Sequence, residues 1–317
     1  MKSALISFIV PFKNEQETLT ALWEKIVAGT KPLNVSVEGI FVDDGSTDES
    51  FARTRALARR DRRVTIIRHR ANFGKSAALM TGFDHARGEF VCTIDADLQD
   101  DPAEIVKLKK KLDEGFDLVS GWKKVRRDNP EKLIVTKIFN TLTARLTGVK
   151  LHDFNCGFKL YRREVVQELN LYGELYRFIP VFAAKLGFRV SEVPVTHHAR
   201  AHGISKYGLG RLLRGPFDLL TVIFLTSYGR RPGHYFGRLS LFFLLPGLAI
   251  SAYIAWLRIA TGSIQFRYPL LFLGVLLVIV GVQVLMSGLI AELIVQHSTP
   301  ERGRNFRIAE IVKKRRK

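Results

Sequence analysis

A chain of 317 residues with a formal net charge of +19 is long enough for one α/β domain of about 200 residues and a second, smaller part. Its two cysteines exclude a disulfide framework and a cysteine-based zinc site, and such scarcity is typical of a reducing compartment. The excess of basic residues predicts an anionic partner, which leaves nucleic acid, a lipid surface and a phosphorylated substrate as classes.

The first half of the chain alternates short apolar runs with helical patterns. The predicted strands cover 5–10, 40–42, 64–67, 90–94 and 116–120, and the predicted helices cover 15–27, 46–60, 76–85 and a segment closing at 112. We expect Ser46 and Glu49 to form a capping box that opens the second helix. This order predicts an α/β fold with a mostly parallel sheet and helices on both faces.

The N-terminal apolar run is interpreted as the first strand of this sheet. It follows Lys2, as in a secretory signal, but it is short, ends at Pro11 and has no small-residue cleavage site after it.

Two carboxylates follow the fourth predicted strand at a spacing of two residues. Asp95 and Asp97 should point the same way at the strand end, with the carbonyl oxygen of Gln99 nearby. Like charges this close favour a hard, oxygen-seeking cation between them, such as a Mg²⁺ that also binds substrate phosphates. The alternative interpretation is a solvated acidic turn in which Asp101 and Pro102 cap the following helix.

Other polar residues follow the remaining strands: Glu15, Asp43, Asp44 and the segment 72–75. Ligands of such sheets bind at the carboxyl ends of the strands, so these residues and the acidic pair should meet at one edge. The convergence favours a nucleotide bound through a metal ion. Helix capping is the alternative role for Asp43 and Asp44.

Four motifs stand in order along this half: Pro11-x-x-Asn14-Glu15, Val42-Asp43-Asp44-Gly45-Ser46-Thr47-Asp48, Asn72-x-Gly74-Lys75 and Asp95-Ala96-Asp97-Leu98-Gln99. With them the chain resembles the family-2 inverting glycosyltransferases, whose GT-A fold is Rossmann-like. Two later motifs are Asp153-x-x-Cys156-Gly157-Phe158-Lys159 and Arg200-x-x-Gly203-x-Ser205-Lys206-Tyr207. They are similar to those of polyprenyl-phosphate glycosyltransferases, such as dolichyl-phosphate mannose synthase and bacterial undecaprenyl-phosphate sugar transferases. The resemblance covers about residues 4–230.

The resemblance implies a metal-dependent transfer of a hexose from a UDP- or GDP-linked sugar to a polyprenyl phosphate, with Mg²⁺ or Mn²⁺ as cofactor. The nucleoside would contact Pro11, Asn14, Glu15, Asp43 and Asp44. The metal ion would be held by Asp97 and Gln99 with support from Asp95. The diphosphate and the acceptor phosphate would contact Lys75, Arg200, Ser205 and Lys206, because mobile cations suit both groups.

A phosphate acceptor is already an anion near neutral pH and needs no strong general base. It needs cations for positioning, a task that Arg126, Arg127, Lys132 and Lys159 could share. Lys132 stands four residues before Thr136, where similar proteins often carry Arg, and Lys cannot clamp a phosphate bidentately. Asp153 would be the base for a sugar-hydroxyl acceptor, and its alternative role is to cap the turn before Cys156.

The last third of the chain is apolar. Residues 239–257 and 269–291 are each about as long as the 20 residues that cross a bilayer, and basic residues flank the pair on both sides. The positive-inside bias predicts a hairpin in the cytoplasmic (inner) membrane, with both termini and the catalytic domain in the cytoplasm. The expected organisation is a GT-A domain at 1–207, interfacial helices at 208–235 broken at Gly215-Pro216, transmembrane helices within 236–292, and a basic tail at 293–317.

Three functional classes are open at this point. The first is the polyprenyl-phosphate glycosyltransferase, with a role in cell-envelope glycans and a variant that uses a sugar-hydroxyl or other lipid acceptor. The second is a polymer-forming synthase of the same fold, which two spans disfavour because they cannot enclose a channel. The third is a non-enzymatic membrane or nucleic-acid binding protein, and the acidic stretch disfavours nucleic acid as a partner.

Two further expectations concern partners and histidines. Similar proteins occur as monomers and as tetramers, so a homo-oligomer is compatible with the resemblance. The eight histidines indicate no metal site, because His197 and His198 are adjacent and no cysteine or acidic residue stands at metal-ligand spacing from them. They are predicted to be loop residues.

Overall fold

A computed structural model describes residues 5–124, 130–198, 218–228, 232–264 and 266–298. The chain divides into two units, residues 1–222 and 223–317, which are described separately.

The first unit is built on a seven-stranded mixed sheet of order β3-β2-β1-β4-β6-β5-β7. The strands are β1 (Leu5–Phe12), β2 (Ser36–Asp43), β3 (Val64–Arg68), β4 (Phe90–Thr93), β5 (Leu118–Trp122), β6 (Lys159–Arg162) and β7 (Val190–Pro194). Four neighbouring pairs are parallel, and β6 runs antiparallel to both β4 and β5. The predicted α/β class and its mostly parallel sheet are confirmed.

Helices cover both faces of this sheet. They are α1 (Leu19–Thr30), α2 (Ser50–Arg60), α3 (Lys75–His85), α4 (Ile105–Asp113), α5 (Pro130–Thr147), α6 (Arg163–Glu168) and α7 (Ile179–Lys185). Side chains alternate across each strand, so Phe8 packs in one core with Trp23 and Leu108, while Ile9 packs in the other with Leu79. Burial on both faces explains why the central strands are nearly continuous apolar runs.

The structure corrects two predicted helix starts. The first helix begins at Leu19 rather than at residue 15, because Asn14 has a left-handed backbone (φ 54°) and residues 13–18 form a loop. The second begins at Ser50, and its N-cap residue Glu49 makes no side-chain capping bond. The predicted capping box of Ser46 and Glu49 is therefore wrong, because the Ser46 hydroxyl accepts the backbone N–H of Asn14 instead.

Two strands of the sheet were not predicted. Strand β6 is only four residues long and passes directly into α6, so it contains too few residues to show an alternating apolar pattern. The intermediate exposure of β7 hides its apolar pattern. The fifth strand was predicted two residues too early, at 116 rather than Leu118.

The second unit contains a helical hairpin. Helices α8 (Pro232–Thr261) and α9 (Tyr268–Ser298) are both long and apolar enough to cross a membrane, as the sequence predicted, and they extend beyond the predicted spans.

The two helices pack against each other through glycines. A Cβ added at Gly281 would lie 2.5 Å from Leu244 Cγ, and one at Gly288 would lie 2.5 Å from Phe236 Cβ. Close approach through small residues is how membrane helices gain packing energy without a hydrophobic driving force. At the open end, Glu292 accepts the backbone N–H of Gly233 at 2.9 Å, which satisfies one exposed donor at the start of α8.

Candidate active site

The carboxyl ends of β1, β2 and β4 meet at one edge of the sheet. Thr93, the last residue of β4, pairs with Ile9 of β1 on one side and with Lys159 of β6 on the other. Because β6 is antiparallel, its first residue lies at the edge where β4 ends. This placement brings Lys159 next to the acidic stretch that follows Thr93, a proximity that sequence separation conceals.

Asp95 is seated by a glycine and a lysine. A Cβ at Gly157 would lie 2.5 Å from Oδ2 of Asp95, so only glycine leaves room for this carboxylate. The ammonium of Lys75 forms an ion pair with Oδ1 of Asp95, and about a third of each side chain is exposed. The predicted metal-supporting carboxylate and the predicted phosphate-binding lysine are thus in direct contact.

A small, solvent-open cleft lies beside this pair. It is lined by Pro11, Lys75, Leu79, Thr93, Ile94, Asp95, Gly157, Lys159, Tyr161, Tyr176 and Ile179. Tyr161 and Tyr176 were not predicted as site residues, since no motif contains them. The mixture of apolar walls with two lysines, a carboxylate and hydroxyl groups is typical of a ligand pocket.

The turn after β4 presents Asp97 and Gln99. Leu98 between them has a left-handed backbone (φ 59°), and the Gln99 N–H donates to Oδ1 of Asp97 at 3.3 Å. The Gln99 side-chain amide donates to the carbonyl of His198 at 3.4 Å, while the His198 N–H donates to the Gln99 carbonyl at 2.8 Å. Gln99 is therefore joined to His198 by its side-chain nitrogen and by its backbone carbonyl.

These three side chains fit a hard divalent cation. Two carboxylates and one amide oxygen are ligands that Mg²⁺ and Mn²⁺ accept, with substrate phosphates and water completing the shell. Among the described residues, no group of three or more His, Cys, Asp or Glu side chains is placed to hold a metal ion.

Behind the turn lies a buried ion pair. Asp100 is 2 % exposed, and one of its carboxylate oxygens lies 2.8 Å from the Lys123 ammonium and 3.6 Å from Nδ1 of His197. Burial raises the pKa of this carboxyl, but the positive charge of Lys123 and the His197 contact outweigh burial and lower the pKa to about 2. The backbone bridge between Asp100 and His197 brings these two side chains together.

Lys159 is a buried cation at the floor of the cleft. Its side chain donates to the carbonyl of Cys156, and burial lowers its pKa. Burial raises the pKa of the Tyr161 hydroxyl, because the charged phenolate is disfavoured there. This hydroxyl lies 3.3 Å from Oγ1 of Thr93. Lys159 thus places a nitrogen donor, held by the Cys156 carbonyl, at the floor of the cleft.

Asp43 and Asp44 hold the loops next to them by accepting hydrogen bonds from backbone N–H groups. Both are buried; Asp43 accepts the N–H of Ser46 at 2.8 Å and lies 3.2 Å from Nε of Arg68. Asp44 accepts the N–H of Phe73 and of Gly74 at 2.8 and 2.9 Å, which fixes the loop that leads into α3. This is a loop-anchoring role rather than the helix capping weighed as the alternative. Direct contact of either carboxylate with a nucleoside stays a prediction.

The loop after β1 is joined to the loop after β2. The Asn14 side chain accepts the N–H of Thr47 at 2.9 Å, and the Glu15 N–H donates to Oγ of Ser50 at 2.8 Å. Pro11 lines the cleft directly. The first two motifs therefore form one cross-linked wall next to the cleft.

Asp153 is buried, and its carboxylate stabilises a turn. It is 1 % exposed, and its carboxylate accepts the N–H of Asn155 at 3.0 Å, which is the turn-capping arrangement weighed above. Asp101 also caps as the sequence predicted, by accepting the N–H of Ala103 at 3.0 Å. The acidic stretch thus contains both a helix start and the candidate metal ligands.

Several predicted site residues lie outside the described part of the chain. They are Arg126, Arg127, Arg200, Ser205 and Lys206, and the break at Gly215-Pro216 falls there too. Lys132 belongs to α5, but its side chain is also outside the described part.

This fold and these strand-end motifs define a glycosyltransferase: residues 7–169 match glycosyl transferase family 2, and the chain belongs to that family. Dodecaprenyl-phosphate galacturonate synthase of Rhizobium johnstonii is 38 % identical over 93 % of this chain and 88 % of its own length. Undecaprenyl-phosphate 4-deoxy-4-formamido-L-arabinose transferase of Pseudomonas paraeruginosa is 35 % identical over 91 % of this chain and 84 % of its own. The predicted resemblance to polyprenyl-phosphate sugar transferases is confirmed.

A solved structure supports the GT-A-like fold. Glucosyl-3-phosphoglycerate synthase from Mycobacterium tuberculosis, in complex with Mn²⁺, uridine-diphosphate-glucose and phosphoglyceric acid, superposes with a TM-score of 0.53. The match covers 69 % of this chain and 80 % of that one at 21 % identity.

Proposed function

We propose that this chain transfers a sugar from a UDP- or GDP-linked donor to a polyprenyl phosphate. The observation that carries the proposal is the match over more than nine-tenths of the chain to two relatives whose names specify polyprenyl-phosphate acceptors. The hairpin of α8 and α9 supports it, because an acceptor with a long hydrocarbon tail is presented at a bilayer.

The donor binds at the edge formed by the carboxyl ends of β1, β2 and β4. The cross-linked loops that contain Asn14 and Asp43 form the wall for the nucleoside. Asp97 and Gln99, with Asp95, would hold Mg²⁺ or Mn²⁺, and the bound ion would supply positive charge that stabilises the departing diphosphate. Lys75 stands within reach of the same diphosphate.

The acceptor attacks without a strong base. A phosphate monoester carries an anionic oxygen near neutral pH, so it forms the new bond to the anomeric carbon while the bond to the diphosphate breaks on the opposite face. The configuration is therefore inverted. The transition state resembles an oxocarbenium ion, and the residues of the site position the phosphate rather than remove a proton. Lys159 contributes a nitrogen donor at the floor of the cleft, and Lys132 and Arg200 are proposed to contact the acceptor phosphate.

A sugar-hydroxyl acceptor finds less support. It requires a general base, and the notable candidate, Asp153, is buried and accepts a backbone N–H. The lipid-phosphate acceptor is therefore the function we propose.

We propose that the reaction occurs on the cytoplasmic leaflet. Basic residues flank both outer ends of the hairpin, whereas the connecting loop contains only two arginines, Arg258 and Arg267. The positive-inside bias then predicts that the catalytic domain (1–207) and the basic tail (293–317) lie in the cytoplasm.

The test is product formation by the full chain in detergent with Mn²⁺, polyprenyl phosphate and a panel of sugar nucleotides. Asp97→Asn should lower turnover at least about 100-fold, because an amide removes the ligand charge while keeping the shape. Asp113→Asn, an exposed aspartate of α4, is the matched control and should retain turnover. Equal turnover of the Asp97 variant and the control would remove the metal assignment. Absence of a glycosylated lipid with every donor would remove the function.

A further inference from the structure

The ion pair between Lys75 and Asp95 has a consequence for metal binding. Asp95 belongs to the candidate metal site, and its carboxylate already has a positive partner in the ammonium of Lys75. A metal ion that binds this carboxylate must compete with the ammonium for the same oxygen atoms. The pair is only about two-thirds buried, so the competition is between two partly solvated cations.

The backbone that bears Lys75 is fixed. Asp44 accepts the N–H of both Phe73 and Gly74, the two residues immediately before Lys75. The Ser76 hydroxyl accepts the N–H of Tyr176, which ties the following residue as well. Any movement of the ammonium away from Asp95 therefore comes from the four-carbon side chain and not from the loop.

The side chain has a second stabilising contact inside the same cleft. The ammonium lies 4.8 Å from the centre of the Tyr176 ring, within the range of a cation–π interaction. Both Tyr176 and Asp95 line the cleft in which the donor is proposed to bind. The ring supports the ammonium while it exchanges the carboxylate for another anion.

We propose that Lys75 is the internal counter-ion of Asp95 and makes metal binding depend on the nucleotide diphosphate. The inference rests on the proposed donor site. With metal alone, the ion must displace the ammonium from the Asp95 carboxylate, and no phosphate oxygen is present to accept that ammonium. With metal and diphosphate together, the ammonium transfers from the Asp95 carboxylate to a phosphate oxygen, and the metal takes the carboxylate. Charge stays paired throughout the exchange.

The coupling is reciprocal by thermodynamic necessity. If the diphosphate raises the affinity for the metal by some factor, the metal raises the affinity for the diphosphate by the same factor. Removing the positive charge at position 75 should tighten the binding of metal alone and weaken the binding of the diphosphate. A lysine with a purely structural role would not produce this opposite pair of effects.

The experiment measures Mn²⁺ affinity of the full chain in detergent by electron paramagnetic resonance of the free ion, with and without UDP or GDP. Lys75→Met removes the charge at similar length, and Lys75→Arg keeps the charge. Lys111→Met removes a lysine paired with Glu114 on α4 and is the matched control. Lys75→Gln replaces the Met variant if the latter loses its thermal unfolding transition.

We expect Lys75→Met to bind Mn²⁺ alone about two- to fivefold more tightly than the wild type, the range set by a partly exposed ion pair. The enhancement of Mn²⁺ affinity by the nucleotide should fall by a similar factor. Lys111→Met should behave like the wild type, and Lys75→Arg, which keeps the charge, should retain the nucleotide dependence. Unchanged or weaker binding of Mn²⁺ alone to the Met variant overturns the inference while leaving the donor site in place. Failure of every variant, wild type included, to bind Mn²⁺ with either nucleotide removes the donor site and the inference together.

Discussion

Gly157 shows how a single residue shapes the candidate site. It is glycine because the carboxylate of Asp95 occupies the space in which any Cβ would lie. The motif in which it stands is 60 residues away along the chain, yet the antiparallel strand β6 returns that motif to the end of β4. Side chains contributed by distant segments thus define the position of one metal-supporting carboxylate.

Gly157→Ala should therefore disturb the site more than the fold. The added methyl displaces Asp95 and its ion pair, and we expect the affinity for Mn²⁺ with a nucleoside diphosphate to fall at least about tenfold, at a stability cost of about 1–3 kcal/mol. Isothermal titration calorimetry measures the affinity. Gly237→Ala, where a Cβ meets nothing within 4 Å, is the control. Equal affinities for the two variants would show that Asp95 is not held as described.

The sequence predicted the candidate metal ligands of the acidic stretch, but it did not predict the buried residues that pack behind them. Asp95, Asp97 and Gln99 follow an apolar run at a spacing that any strand would present on one side. The buried ion pair of Asp100 with Lys123 draws its partners from separate strand ends, so only the sheet order reveals it. Ser46 was assigned to the wrong partner because Asn14, in another loop, competes for its hydroxyl.

At the scale of elements, α8 and α9 pack closely because glycines recur on α9 at intervals of seven residues. Gly274, Gly281 and Gly288 each lie against a side chain or backbone atom of α8. The sequence predicted both helices from length and hydropathy alone. It did not predict their contact, because in an all-apolar helix every face looks alike.

Gly281→Leu should separate these helices. A Cβ at this position would already lie 2.5 Å from Leu244 Cγ and 3.0 Å from the Leu244 nitrogen, so the backbones must move apart. We expect a loss of about 1–3 kcal/mol, seen as a lower midpoint of thermal unfolding in detergent. Val282→Leu, at an exposed position of α9, should leave the midpoint unchanged. A midpoint for Gly281→Leu that matches the control would contradict the packing described.

For the whole molecule, the alternation of strands and helices was enough to predict the class of fold, because each parallel connection requires a crossover helix. The insertion of β6 between β4 and β5 was not predictable, since four residues carry too little periodicity. That insertion decides which residues face the cleft, including Lys159 and Tyr161. The motifs therefore identified the candidate metal and nucleotide ligands better than the cleft residues contributed by β6.

The central claim is that a metal-bound nucleotide diphosphate lies at the end of β4. Anomalous X-ray diffraction from crystals of the full chain grown with Mn²⁺ and the best-binding nucleoside diphosphate tests it most directly. We expect one strong manganese peak within ligand distance of Asp97 and Gln99, with the Lys75 ammonium moved from Asp95 to a phosphate oxygen. A diphosphate bound elsewhere, or no manganese beside these residues, would contradict it.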